Sequence, residues 1–150
     1  MVPNSQIVCM TDMATVAADA ACTALVDTIG YDYAKIVYLT GISSGISSQD
    51  HVSLGESPTS PTAYADCTDV SGCDGTSADF TIVAESTTHS NAYVFNVDLR
   101  GRQRYLCLNY ESDMTHGGVA IAILSRAENA EEHTDATTAH GVRNIVNAGA

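Results

Sequence analysis

"AYVFNVDLRGRQRYLCLNY", residues 92–110, decides how the chain is read. Two runs rich in aromatic and β-branched residues flank a short polar piece, RGRQ, and both runs alternate apolar positions with a period of two: strand, bend, strand. Tyr93, Phe95, Val97 and Leu99 share one face of the first run, and Gly101 supplies the backbone freedom a bend needs. The bend also concentrates charge. Arg100, Arg102 and Arg104 are half of the 6 Lys and Arg side chains in a chain that carries 18 carboxylates and a formal charge of −12.

Outward from this stretch, CTALV (22–26), KIVYLT (35–40), FTIVA (80–84) and VAIAILS (119–125) read as further strands, each bounded by Gly, Ser, Asp or Asn. HVSLGE (51–56) and PTAYADC (61–67) are weaker candidates that bring the number to the eight of a jelly roll. Nothing between the runs has the period of a crossover helix, so a parallel βαβ sheet is disfavoured. In VAIAILS, Val119, Ile121 and Ile123 lie on one face and Ala120 and Ala122 on the other. With Tyr93, Phe95, Val97 and Leu99, the three larger residues form the expected core.

The expected architecture is an all-β antiparallel sandwich of jelly-roll type with extended terminal arms. Residues 1–20 form an N-terminal arm, 21–126 the β-sandwich domain and 127–150 an acidic C-terminal tail. The tail's apolar patch, Val142, Ile145 and Val146, is too small to make a core alone and is expected to dock onto something else.

Composition excludes several classes. A content of 45% hydrophobic residues is too high for a disordered acidic chain. The net negative charge opposes the phosphate neutralisation on which nucleic-acid binding rests, and it opposes anionic membranes equally. No stretch reaches the ~20 apolar residues of a membrane-spanning helix, and the first residues lack the pattern of a secretory signal, so synthesis in a cytoplasm is expected.

Cys9, Cys22, Cys67, Cys73 and Cys107 show neither a CxxC pair nor zinc-site spacing. Cys22 and Cys107, within apolar runs, read as buried thiols. Cys67 and Cys73 flank TDVSG and are the pair that oxidising conditions would close, although cytoplasmic synthesis works against it.

The chemistry-bearing motifs are sparse. GISSG (41–45) matches the spacing of a hydrolase nucleophile elbow but is followed by no helical sequence, so a turn is the better reading. His51, His89, His116, His133 and His140 fall in separate stretches without metal-ligand spacing and read as exposed loop residues. Asp66, Asp69, Asp74 and Asp79 crowd one segment, but not at the alternating spacing of a calcium loop. No nucleophile, base and oxyanion donor stand at recognisable spacing, so neither enzymatic activity nor a cofactor or metal is expected.

The arginine bend has two readings. It is a solvated turn whose charges discourage sheet-to-sheet pairing, or it is a basic knob whose guanidinium groups fork onto carboxylates of a neighbouring subunit. The second makes Arg100, Arg102, Arg104 and Tyr105 interface residues oriented by Asp98, joined by Val142, Ile145 and Val146. It expects charge reversal at Arg102 and Arg104 to weaken assembly while leaving the melting temperature of the domain nearly unchanged.

"VDTIGYDYAKIVYLTG" (26–41), "VDLRGRQRYLCL" (97–108) and "GGVAIAIL" (117–124), in this order and spacing, resemble small structural proteins of tailed bacteriophages, the capsid cement or decoration proteins with a jelly-roll-like β-domain. The resemblance covers roughly residues 22–125. It implies a non-enzymatic virion protein on the outer surface of the capsid, binding between major capsid subunits and stabilising the head as a homotrimer. Its partners would be the major capsid protein and itself. Two rivals remain: a head-to-tail connector or tail component of a phage, and a carbohydrate-binding β-sandwich. The second is weakened by the absence of Trp and by the commitment of Tyr93, Phe95 and Tyr105 to packing.

Overall fold

The computed structural model describes residues 5–11, 14–45, 49–75, 80, 82–126 and 142–147. The strands are β1 (Ser5–Cys9), β2 (Ala14–Val16), β3 (Cys22–Asp27), β4 (Tyr33–Ser43), β5 (Gln49–Ser57), β6 (Thr68–Asp74), β7 (Asn91–Asp98), β8 (Tyr105–Ser112), β9 (His116–Ser125) and β10 (Val142–Asn147). They form two sheets face to face: β1-β9-β4-β7-β10, with β2 also on β9, and β3-β8-β5-β6. The all-β sandwich expected from the sequence is what is observed, and apart from β10 on β7 the described ladders are antiparallel.

From β2 to β9 every connection crosses from one sheet to the other except the β5–β6 link. The bend between β7 and β8 is therefore a corner between the sheets rather than a hairpin tip. Gly101, at φ 81°, occupies the left-handed region that a β-carbon disfavours.

The core follows the period of two. In β7, Asn91, Tyr93, Phe95 and Val97 point inward, and Leu99 continues the row; the four apolar residues expected there are buried. In β9 the expected face is reversed. Gly118, Ala120, Ala122 and Leu124 point inward, while Val119, Ile121 and Ile123 are only half-buried on the outside. Aromatic rings explain the reversal: Tyr38 stacks on Tyr110 at 4.5 Å and lies 6.0 Å from Tyr93, and a β-carbon on Gly118 would already stand 3.3 Å from the Tyr38 ring. Opposite these rings the interior has room for alanine, and the larger side chains go outward.

Four other expectations are corrected. Within the stretch expected as an N-terminal arm, Ser5–Cys9 and Ala14–Val16 lie along β9 as β1 and β2, because β9 otherwise ends the sheet with an open edge. Among its described residues FTIVA forms no extended strand, only a β-bridge at Ala84; Phe80 and Ile82 pack against the core while Tyr93 Oη bonds the backbone N–H and C=O of Val83. PTAYADC holds a single 3-10 turn, Tyr64–Asp66, because the Asp66 carboxylate accepts backbone bonds from Thr62 and Ala63; the strand lies beyond it, at Thr68–Asp74. In the C-terminal tail, Val142–Asn147 is a strand; residues 127–141 and 148–150 lie outside the described residues, as do His133, His140 and Asp79.

Candidate interaction site

The three arginines converge on one end of the sandwich, and each finds a carboxylate of its own chain. Asp27 ends β3 and receives Arg104 in a two-pronged contact, Nε to Oδ1 at 3.0 Å and Nη2 to Oδ2 at 2.6 Å. Asp98 ends β7 and takes Arg100, Nε to Oδ1 at 2.9 Å, with the guanidinium 5.4 Å from the Tyr33 ring. Arg102 reaches Glu56 of β5 at 3.6 Å, and the other oxygen of Glu56 accepts the backbone N–H of Gln103 at 3.1 Å. The Arg104 guanidinium holds the Asp27 carboxyl below its usual range, as Arg100 does for Asp98, and each carboxylate raises its arginine in return.

This geometry makes the bend a clasp. Thr28 adds two bonds to the Arg104 carbonyl, at 2.9 Å from its backbone N–H and 2.7 Å from its hydroxyl, so the β3–β4 and β7–β8 corners are tied together. The side chains differ in access: Arg100 is 64% exposed, Arg104 46% and Arg102 only 10%, against a Glu56 that is itself 14% exposed. Reversing Arg102 would press a carboxylate onto Glu56 in a nearly water-free position, which changes the expectation of an unaltered melting temperature. Arg100 and Arg104 keep donors open to solvent. Tyr105, half-buried at the start of β8, lies under the Arg104 guanidinium at 5.0 Å.

In the middle of the β3-β8-β5-β6 sheet, on β5 and β8, the outer face is polar yet covered. Ser53, Gly55, Ser57, Cys107 and Asn109 point away from the core but are buried, as is Pro61 in the segment that follows β5. That segment is fastened by a disulfide between Cys67 and Cys107; Cys73, the partner for Cys67 that the sequence offers under oxidising conditions, is buried in the core and takes no part in the bridge. Gly55, opposite Cys107 on β5, makes the bridge possible, since a β-carbon there would lie 2.9 Å from Cys67 Cβ. Cys107, read as a buried thiol, is thus the bonded partner, while Cys22 is a half-buried free thiol.

The outer face of the larger sheet is the opposite. Ile7, Cys9, Val37, Leu39, Ala92, Val94, Val119, Ile121 and Ile123 form one apolar field in register across four strands, with Lys35 inside it and Asp98 at its rim. Ile7 is 72% exposed and Leu39 39%. A contiguous apolar field is uncommon on the outer face of so acidic a chain. At its far side β10 runs parallel to β7, with Val142, Ile145 and Val146 opposite Ala92, Phe95 and Asn96. Along this ladder Val142 is level with the end of β7 far from Asp98, while Val146, level with Asn96, lies two residues short of it.

One polar group escaped the sequence reading. His116 is buried, with Nε2 2.9 Å from Tyr38 Oη and Nδ1 3.3 Å from Glu85, whose same oxygen accepts the Ser112 hydroxyl at 2.7 Å. The network fastens the 82–91 segment over the core, aided by Asn91 Nδ2 on the Ala84 carbonyl at 3.1 Å. The signal was available in part: His116 is in phase with Gly118, Ala120 and Ala122. His51, on β5 and half-buried, bonds Ser53 Oγ at 2.7 Å, so it too is a strand residue rather than a loop residue.

Among known proteins, no family model and no curated protein matches the chain. A solved structure titled "Structure of infectious bursal disease virus Gx strain" aligns with a TM-score of 0.43 and 10% identity, covering 84% of this chain. The chain spans 33% of the length of that one. A likeness of this size bears on neither fold detail nor function.

Proposed function

We propose that the chain is a non-enzymatic structural protein of a phage particle, a cement or decoration protein that sits on the capsid outer surface between major capsid subunits and assembles as a homotrimer. The observation that carries this reading is the apolar outer face of the larger sheet in a chain of formal charge −12. Such a face suits a protein whose contacts are made in an assembly, where modest individual contacts are multiplied by symmetry. The ladders add support: β1 with β9, β3 with β8, β4 with β7 and β5 with β6 are nested first with last, as in a long hairpin rolled into a jelly roll.

Copy number in purified particles, measured by quantitative mass spectrometry against the major capsid protein, tests the proposal. Hundreds of copies are expected. About a dozen or fewer would transfer the chain to the connector or tail, and glycan binding by the isolated chain would overturn the assembly role.

A further inference from the structure

The β10–β7 ladder is the one parallel pairing among the described residues, and a parallel neighbour obliges the chain to return from one end of the sheet to the other. Ser125, where β9 ends, is level with Tyr33 and Asp98; Val142, where β10 begins, is level with Ala92, three strands away. The gap is about 25 Å, from ~3.3 Å per residue along the strands and ~4.8 Å between them.

Within one molecule the inner face of the sheet is closed by the second sheet, so the direct route crosses the outer apolar field. A crossover that packs on a sheet needs an apolar stripe of its own. Residues 127–141 have none: they contain Glu128, Glu131, Glu132 and Asp135 and not one Val, Ile, Leu, Met, Phe or Tyr. Carboxylates laid over Val37, Val94, Ile121 and Ile123 would lose water and gain no partner. The same segment, at ~3.4 Å per residue, reaches up to roughly 55 Å, enough to leave the molecule altogether.

The acceptor is equally distinctive. Without β10, β7 would show a bare edge from Asn91 to Asp98 with no Lys and no Pro, the kind of edge that recruits another strand. β10 also lies beside β6, where it covers the seam between the two sheets.

We infer that β10 is a donated strand, seated on the β7 edge of a neighbouring copy in the register that sets Val142 on Ala92 and Asn147 on Val97. Donation is a head-to-tail contact, and head-to-tail contacts close into rings; the inference rests on the trimer proposed above, which fixes the ring at three.

The test is a cross-link in the full-length chain carrying Val94→Cys and Asn144→Cys, with the exposed Cys9 changed to Ser, joined by a short bifunctional maleimide. On a denaturing gel the expected product is a ladder ending at three chains. A product that stays at one chain's mass, or no β10–β7 link at all, overturns donation. Sedimentation of the uncross-linked protein separates the two ideas: a trimer whose cross-link stays within one chain sinks donation alone, whereas a monomer sinks the trimer as well. A chain ending at Arg126 should sediment as a monomer; if it remains trimeric, β10 is not the link.

Discussion

The two sheets bury their inner faces in the same way and treat their outer faces in opposite ways. On β5 and β8 the outer residues are small and polar, yet they are buried where the Cys67–Cys107 bridge holds the following segment. On β1-β9-β4-β7 they are mostly apolar, yet they are only half-buried, with Ile7 and Leu39 exposed. Side-chain polarity therefore does not say which face is covered. One face is closed covalently by its own chain, and the other has the composition of a surface awaiting a partner.

The largest expected effect comes from undoing the closed face. Cys67→Ser with Cys107→Ser should lower stability by about 3–4 kcal/mol, the loop entropy of a bridge that spans 40 residues. Gly55→Val should do the same by preventing the bridge from forming. Urea unfolding with and without reductant checks both, and an undiminished oxidised midpoint in either variant would mean that the segment is held by something else.

Next comes the corner where the sheets meet. Arg102→Glu should cost about 3 kcal/mol, because it replaces the counter-charge of Glu56 with a second carboxylate in a nearly buried position. Arg100→Glu, at an exposed pair, should change stability far less. Equal effects would erase the distinction between plug and surface pair. The folded-state lowering of Asp98 predicts that the Arg100 contribution is present above the unfolded carboxylate value, near pH 4, and is lost as pH falls toward the lower folded value. Melting curves of Arg100→Gln and the parent chain should therefore converge in acid.

The smallest expected change is a gain. Asn109 is buried on the closed face, and among the described residues neither its Oδ1 nor its Nδ2 has a hydrogen-bond partner. Asn109→Leu should raise stability by about 1 kcal/mol by removing an unmet desolvation penalty. A loss would show that the amide engages something beneath the covering segment.

Much of the strand pattern was legible because the period of two is local: alternation in 92–99 identifies both the strand and its buried side. The same alternation in 119–125 identified the strand but gave the wrong side, since Ala against Ile is decided by the rings of Tyr38, Tyr93 and Tyr110 from β4, β7 and β8. FTIVA illustrates the same limit: it has strand composition, yet its described residues reach only a bridge at Ala84, while Phe80 and Ile82 turn to the core. Of the site residues, the bend and its three arginines were visible as a charge cluster. Their carboxylates were not, except Asp98, because Asp27 and Glu56 lie 77 and 47 residues from the positions they meet.

The sequence by itself determined the all-β class, the inward face of β7, the bend at Gly101 and the strongly acidic charge, because each depends on local geometry or on a sum over composition. Only the tertiary structure decided that Cys67 meets Cys107, that the arginines clasp their own chain, and that the larger apolar face looks outward. Those outcomes depend on which distant strands become neighbours, and a disulfide, an ion pair and a packed ring all act over a few ångströms of space, whatever the separation along the chain.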